Sequence, residues 1–237
     1  MGKHLAIFPT ESGYMLTKRL IISALCLVGV LTVDAQSNFN KHISWWPAYY
    51  LKYSINNKWA LNADIQARNF ANEPVLGLMA VRTGIHYLVS KQWSVGMGGA
   101  WFHQQQFTAN KQKSVTDEVR LWEELRNDVK LNKWQLINQF RTEQRHLINQ
   151  DGMAFRFRYR LAAEYGICEK WKAMIGNELM WQSSKERKDW DQYRVWLGGE
   201  YAFNKMNQVQ LFFMDWWMAA VQTHQPVVRI NFIQSIN

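Results

Sequence analysis

The sequence predicts an all-β chain that closes into an antiparallel up-and-down transmembrane β-barrel of about 12 strands, with 10 as the other even count. Three observations predict it: long segments in which apolar and polar residues alternate, a turn motif that recurs through the chain, and aromatic residues set at the strand ends beside those turns.

The first element is a leader. From Met15 the chain reads MLTKRLIISALCLVGVLTVDAQ, a basic pair (Lys18, Arg19), an apolar core, and Val33-Asp34-Ala35 with small side chains where a signal peptidase reads. Residues 1–35 are expected to be a cleaved secretory signal peptide, with 1–14 an over-extended start, and 36–237 a single barrel domain. Its apolar core, Leu20 to Val33, is fourteen residues long, short of the roughly 20 that a membrane helix needs. Removing the leader takes away Lys3, Lys18, Arg19, Glu11 and Asp34, which leaves 25 basic against 17 acidic residues and a net charge of +8. One cysteine remains, Cys168, so no disulfide can close within the exported chain.

The turns come next. Asn57-Lys58-Trp59, Lys91-Gln92-Trp93, Asn132-Lys133-Trp134, Glu169-Lys170-Trp171 and Asn204-Lys205-Met206 echo one another, and their last residues are spaced by 34, 41, 37 and 35. Repeats of this length fit helical solenoids, propeller blades or hairpins. The flanking periodicity selects hairpins. Trp59, Leu61, Ala63, Ile65 and Ala67 alternate with Asn62, Asp64, Gln66 and Arg68, and Phe155 to Ile167 sets seven apolar residues against Arg156, Arg158, Arg160, Ala162, Glu164 and Gly166. Similar segments are predicted near 45–55, 78–89, 93–107, 118–131, 134–147, 171–182, 192–203, 207–220 and 227–236. Eleven segments are visible, and an even count needs a twelfth from Ser37 to Ile43.

Alternation does not say which face points inward. Strands of eleven or more residues exceed the globular mode of about 5 to 6 and suit a bilayer crossing. Trp59, Trp93, Trp134 and Trp171 each open a strand directly after a turn, where an amphipathic ring is comfortable at lipid headgroups. Longer connections are expected at the other end, near 70–77, 108–117, 148–154, 183–191 and 221–226. Asn127 and Asp215 fall on the nominally lipid-facing side, and a β-bulge in either strand would turn them inward. The mean hydropathy of −0.35 excludes a helical membrane protein but suits a barrel with a wet interior. An exported basic protein rarely meets nucleic acid, so the expected partners are outer-membrane lipids and the export and barrel-insertion machinery.

The polar face carries Arg120, Glu124, Arg126, Arg141, Glu143, Arg145, Arg156, Arg158, Arg160, Glu164, Glu178, Arg194 and Glu200 on consecutive strands. Two chemistries fit: an ion-pair network filling the lumen, because buried arginine needs paired acceptors, or an anion-binding constriction that uses guanidinium forks. Metal-ligand spacing is lacking, with no CxxC and no HExxH, so no metal or cofactor is expected. His103, His146 and His224, with Ser114, Ser183 and Ser184, lie toward the far rim. A lipid-modifying hydrolase would need one such Ser and His within hydrogen-bond reach.

The Trp-containing turns, with Glu118-x-Arg120-x-Trp122-x-Glu124-Leu125, Arg141-x-Glu143-x-Arg145, Arg156-x-Arg158-x-Arg160 and Asn177-Glu178-Leu179, resemble the exported family catalogued as domain of unknown function 2490. The likeness runs over about 40–236. It implies an outer-membrane β-barrel of the kind common in the Bacteroidota, and it brings no activity with it.

Overall fold

A computed structural model describes residues 42–69, 76–107, 113–148, 152–185 and 188–236. The leader, and all of the 37–43 segment except His42 and Ile43, lie outside the described residues. Eleven strands follow one another among them. They are β1 (Ser44–Ser54), β2 (Trp59–Asn69), β3 (Leu76–Leu88), β4 (Trp93–Phe107), β5 (Lys113–Leu131), β6 (Trp134–Leu147), β7 (Met153–Gly166), β8 (Trp171–Ser183), β9 (Lys188–Ala202), β10 (Asn207–Met218) and β11 (Thr223–Ile236).

Each strand pairs antiparallel with its successor, and β1 pairs with β11 to close the barrel. That seam is parallel, from Ser44↔Val227 to Tyr53↔Ile236. The odd count dictates it, because the first and eleventh strands of a meander run the same way. The eleven segments visible in the alternation are thus the eleven described strands, and the seam forms without a twelfth.

The recurring motif is one backbone turn used repeatedly. The amides of Ile55, Val89, Ile167 and Phe203 donate to the carbonyls of Trp59, Trp93, Trp171 and Asn207, at 2.9, 2.9, 3.0 and 3.0 Å. Asn56 Oδ1 accepts from the amides of Lys58 and Trp59, both at 2.9 Å, and Asn204 Oδ1 accepts from Met206 and Asn207, both at 2.8 Å. Side chains of this kind substitute for backbone acceptors in tight turns. The last echo is therefore displaced by one residue: Asn207, not Met206, opens β10. The turn at Asn132-Lys133 is shorter, and Asn132 takes left-handed backbone at φ 56°, a conformation asparagine tolerates.

Connections at the opposite end are shorter than expected. β5 begins at Lys113, β9 at Lys188 and β11 at Thr223, so ladders continue where loops were anticipated. The polar residues there keep pairing backbone to backbone after the apolar alternation has ended.

Side chains sort by parity. Leu61, Ile65, Val81, Leu121, Leu125, Phe140, Phe157, Leu197 and Phe213 are among the apolar residues exposed on the outer wall. Inside, the charged residues share their parity with a buried apolar set. Trp46, Trp196, Phe212, Met214 and Trp216 form one cluster, and Leu78, Ala80, Ala100, Phe102 and Trp122 another. Glycines make room for the indoles: a Cβ at Gly84 would lie 2.2 Å from the Trp122 ring, and one at Gly176 2.4 Å from the Trp196 ring.

Neither Asn127 nor Asp215 needs a bulge, since the register shifts lie at Arg68/Asn69 and Met180/Trp181. Asn127 sits opposite Trp93 at the turn rim, and Asp215 Oδ2 pairs with His224 Nδ1 at 2.8 Å on the outer face.

Candidate functional site

All thirteen sequence-predicted lumen residues lie on the inner wall contributed by β5 to β9. Seven charged groups make one continuous chain across it. Arg145 Nη2 donates to Glu118 Oε2 at 3.0 Å, and Arg120 Nε donates to Glu118 Oε1 at 2.8 Å. Arg120 Nη1 reaches Glu143 Oε2 at 3.1 Å, Arg158 bridges Glu143 and Glu178, and Arg194 Nη1 closes on Glu178 Oε2 at 3.1 Å. Antiparallel register puts such partners in reach: Glu124 faces Arg141, Glu143 faces Arg156, and Glu178 faces Arg194.

Side branches extend the lattice. Arg156 Nη2 meets Asp191 at 2.7 Å, and its Nη1 lies 3.8 Å from Glu143. Asp191 is the residue passed over where the β8–β9 register shifts, and a bulge of this kind re-aims a side chain. Glu124 is held by Arg141 and Gln139, Arg126 forks onto Asp128 at 2.8 and 2.9 Å, and Lys172 bridges Glu164 and Glu200 at 3.5 and 2.9 Å. Several guanidiniums also rest on rings: Arg120 on Phe102 at 3.7 Å, Arg141 on Trp122 at 4.5 Å and Arg160 on Trp196 at 4.9 Å.

The lattice lines one wall and leaves a cavity of about 1210 Å³ beside it, room for on the order of 40 waters at their liquid volume. Its lining runs from Ser94, Gln135 and Lys172 near the turns to Gln104, Arg145 and Met218 near the other rim. The ion-pair network thus covers one wall of the lumen without filling it.

The far wall carries charges outside the predicted set: Lys52, Asp64, Arg68, Arg82 and Arg229, with Tyr50 among them. Arg82 forks onto Asp64 at 3.0 and 2.9 Å, and the Tyr50 hydroxyl accepts from Gln66 at 2.9 Å and from Arg229. The alternation of β2 sets Asp64 and Arg68 on its polar face, but single charges among amides give no run to notice. Among the described residues nine lumen carboxylates are matched by nine cations: Arg82, Arg120, Arg126, Arg141, Arg145, Arg156, Arg158, Arg194 and Lys172. Arg68, Arg160, Arg229 and Lys52 have no carboxylate at ion-pair distance. Arg68 instead lies 4.2 Å over Trp46 and donates to Gln66 at 2.8 Å, and Arg229 Nε donates to Asn231 at 2.9 Å. All four surplus cations line the cavity.

On the outer rim two histidines hold carboxylates: His103 Nδ1 with Asp117 and His224 Nδ1 with Asp215, both at 2.8 Å. The residues in register beside them are Met79, Trp217, Pro226 and Val195. No serine, threonine or cysteine stands among these register partners.

Trp59, Trp134 and Trp171 each stack against a tyrosine directly across the ladder on the following strand, Tyr87, Tyr165 and Tyr201, at 4.7, 4.8 and 4.7 Å. Trp93 faces Asn127 instead. Toward the other rim Trp45, Trp101, Phe155, Phe157 and Trp190 are exposed, and Phe157 stacks on Trp181 at 5.6 Å.

Among solved structures the chain is similar to OmpT, an outer membrane protein of Vibrio cholerae. The in-vitro folded form aligns at 16% identity and TM-score 0.44 over 70% of this chain and 52% of that one. The outer-membrane expressed form gives 14% and 0.43 over 67% and 54%, and the trimer form 13% and 0.42 over 71% and 59%. The chain spans little more than half the length of those proteins. Comparison with curated proteins gives no match. A family model, by contrast, covers residues 43–225, β1 to β10 with the ion-pair lattice, and by that match the chain belongs to the family described as Protein of unknown function (DUF2490).

Proposed function

We propose that this chain is an exported outer-membrane barrel whose lumen binds or passes small anions. The observation that carries the anion reading is the unbalanced lumen: nine carboxylates neutralise nine cations, and Arg68, Arg160, Arg229 and Lys52 remain on the wall of an open cavity. Unpaired guanidiniums in a confined, poorly solvated space attract counter-ions strongly and present forks that match carboxylate and phosphate. Rings of Arg and Lys set anion preference in pores for the same reason.

The outer wall supports the membrane placement. Two bands of aromatics flank an aliphatic zone, and Trp93 to Trp101 is eight residues while Trp171 to Trp181 is ten. At a rise of about 3.3 Å and a tilt near 40° the bands stand about 20–25 Å apart, close to the apolar height of outer-membrane barrels. Exposed apolar surface of this extent needs lipid or a partner to cover it. Outer-membrane lipids are then the immediate surroundings, and the export and insertion machinery the route.

The test has two stages. The mature chain should fractionate with the outer membrane and shift on gels when boiled; recovery as a soluble species overturns the placement. In planar bilayers the folded protein should conduct anions over cations. Arg160→Met and Arg68→Met should lower the selectivity, and cation preference in the unaltered protein would overturn the anion reading.

A further inference from the structure

Polar side chains on the outer wall usually find a partner on the adjacent strand. Asp117 holds His103, Asp215 holds His224, and Tyr159 donates to Asn138 at 2.9 Å. Glu123 departs from this. It occupies the middle of the outward row of β5, between Asp117 at one rim and Leu131 at the other, and is exposed. A single long bond reaches it, from Thr142 Oγ1 at 3.4 Å. A carboxylate in the apolar zone is costly unless something donates to it.

The surface around Glu123 is hollow. Gly99 points outward, and a Cβ there would meet nothing nearer than the Arg120 carbonyl at 3.8 Å. A depression of about 480 Å³ opens there, with Thr83, Leu121, Glu123, Thr142 and Gln144 among its walls. Leu121, 60% exposed, stands directly across the ladder from Gly99, and Met97, 59% exposed, directly across from Glu123. A projecting side chain and a hole, an acceptor and three donors, thus share one small patch.

A patch with this content complements itself. A two-fold contact sets the same patch against its own copy, so each projecting leucine can enter the facing hollow and each carboxylate can meet the facing Thr or Gln donors. Small residues that admit close approach and polar groups that bond across the contact are what hold membrane segments together, because lipid offers neither. We infer that the β3–β6 outer face is where a second copy of this barrel docks, with Glu123 bonded across the contact and Gly99 receiving the facing side chain. This rests on the membrane placement proposed above; the anion reading of the lumen is independent of it.

The test uses outer-membrane vesicles carrying the full chain with Cys168→Ser, which removes the exposed native thiol. One variant adds Thr142→Cys on the proposed face, and another adds Phe213→Cys on β10, outside it. Mild oxidation should link Thr142→Cys into dimers about ten-fold more than Phe213→Cys, and Gly99→Leu added to Thr142→Cys should abolish most of that excess. Gel heat-modifiability shows whether each variant is folded. Folded, membrane-borne barrels that stay monomeric, or that cross-link equally from both sites, overturn the docking face. Recovery outside the membrane overturns the placement and the docking face with it.

Discussion

Glu143 is the most heavily engaged acid of the lumen. Its carboxylate meets Arg120 at 3.1 Å, Arg158 through a direct bond and Arg156 at 3.8 Å, and 4% of its side chain is exposed. Glu143→Gln keeps the shape and removes the charge. Breaking a buried pair by deleting one partner costs about 3–5 kcal/mol, because the charge left behind loses its compensation. Here each arginine keeps another acid: Glu118 for Arg120, Glu178 for Arg158 and Asp191 for Arg156. The loss should therefore fall at the low end, about 3 kcal/mol, or roughly two orders of magnitude in the unfolding constant. Arg160→Met is the counter-case. It removes a guanidinium with no carboxylate at ion-pair distance, loses a contact with Trp196 at 4.9 Å worth about 0.5–2 kcal/mol, and relieves repulsion from nearby Arg229. The two effects oppose, and the net change should stay within about 1 kcal/mol. Denaturant unfolding in lipid vesicles, followed by tryptophan emission, measures both. If Arg160→Met costs as much as Glu143→Gln, or if Glu143→Gln costs less than about 1 kcal/mol as an exposed pair would, the lattice is not a stabilising network and the charge ledger loses its meaning.

Other outcomes follow from the same geometry. Asp191→Ala should cost about 3 kcal/mol in the unfolding assay, because it strips Arg156 of its 2.7 Å partner and leaves Glu143 at 3.8 Å. Gly176→Ala puts a Cβ 2.4 Å from the Trp196 ring and should destabilise by about 1–3 kcal/mol; Gly166→Ala, whose nearest atom would be 3.6 Å away, should be close to neutral. Lipids brominated near the headgroup should quench the unaltered protein more than Trp134→Phe, while Trp196→Phe should leave the quenched fraction unreduced, because Trp134 is exposed and Trp196 faces the lumen.

Parity is what the sequence transmits well. A strand sends successive side chains to opposite faces, so the runs Phe155 to Ile167 and Trp59 to Arg68 sort their residues onto two faces without any tertiary knowledge. That rule suffices to place all thirteen predicted lumen residues on one wall. It does not say which neighbour each will meet. The match of Arg158 to Glu143 and Glu178 depends on register, and register follows from turn lengths such as the two residues at Asn132-Lys133 against four at 55–58. The barrel seam was illegible for a related reason: β1 meets β11 across nearly the whole length of the chain, and nothing local records that pairing. Asp191 shows where parity itself fails, since one extra residue in β9 brings a side chain to Arg156 that a strict count would send outward.

Tryptophan shows how the same residue type carries two meanings that only position separates. Trp59, Trp134 and Trp171 follow turns and stack on tyrosines on the outer face at the turn rim. Trp46, Trp122, Trp196 and Trp216 have the opposite parity and are buried inside. The interior set answers a problem the charges create. A lumen of guanidiniums has too few carboxylates to orient every one, and an indole face supplies a neutral surface that holds a cation by its quadrupole without adding negative charge. Arg68 over Trp46 and Arg160 over Trp196 are held in this way, and both are surplus cations. Ring support fixes these two guanidiniums while leaving their net charge uncompensated. Replacing the rings with carboxylates would hold the arginines equally well and would erase the charge surplus on which an anion-binding lumen depends.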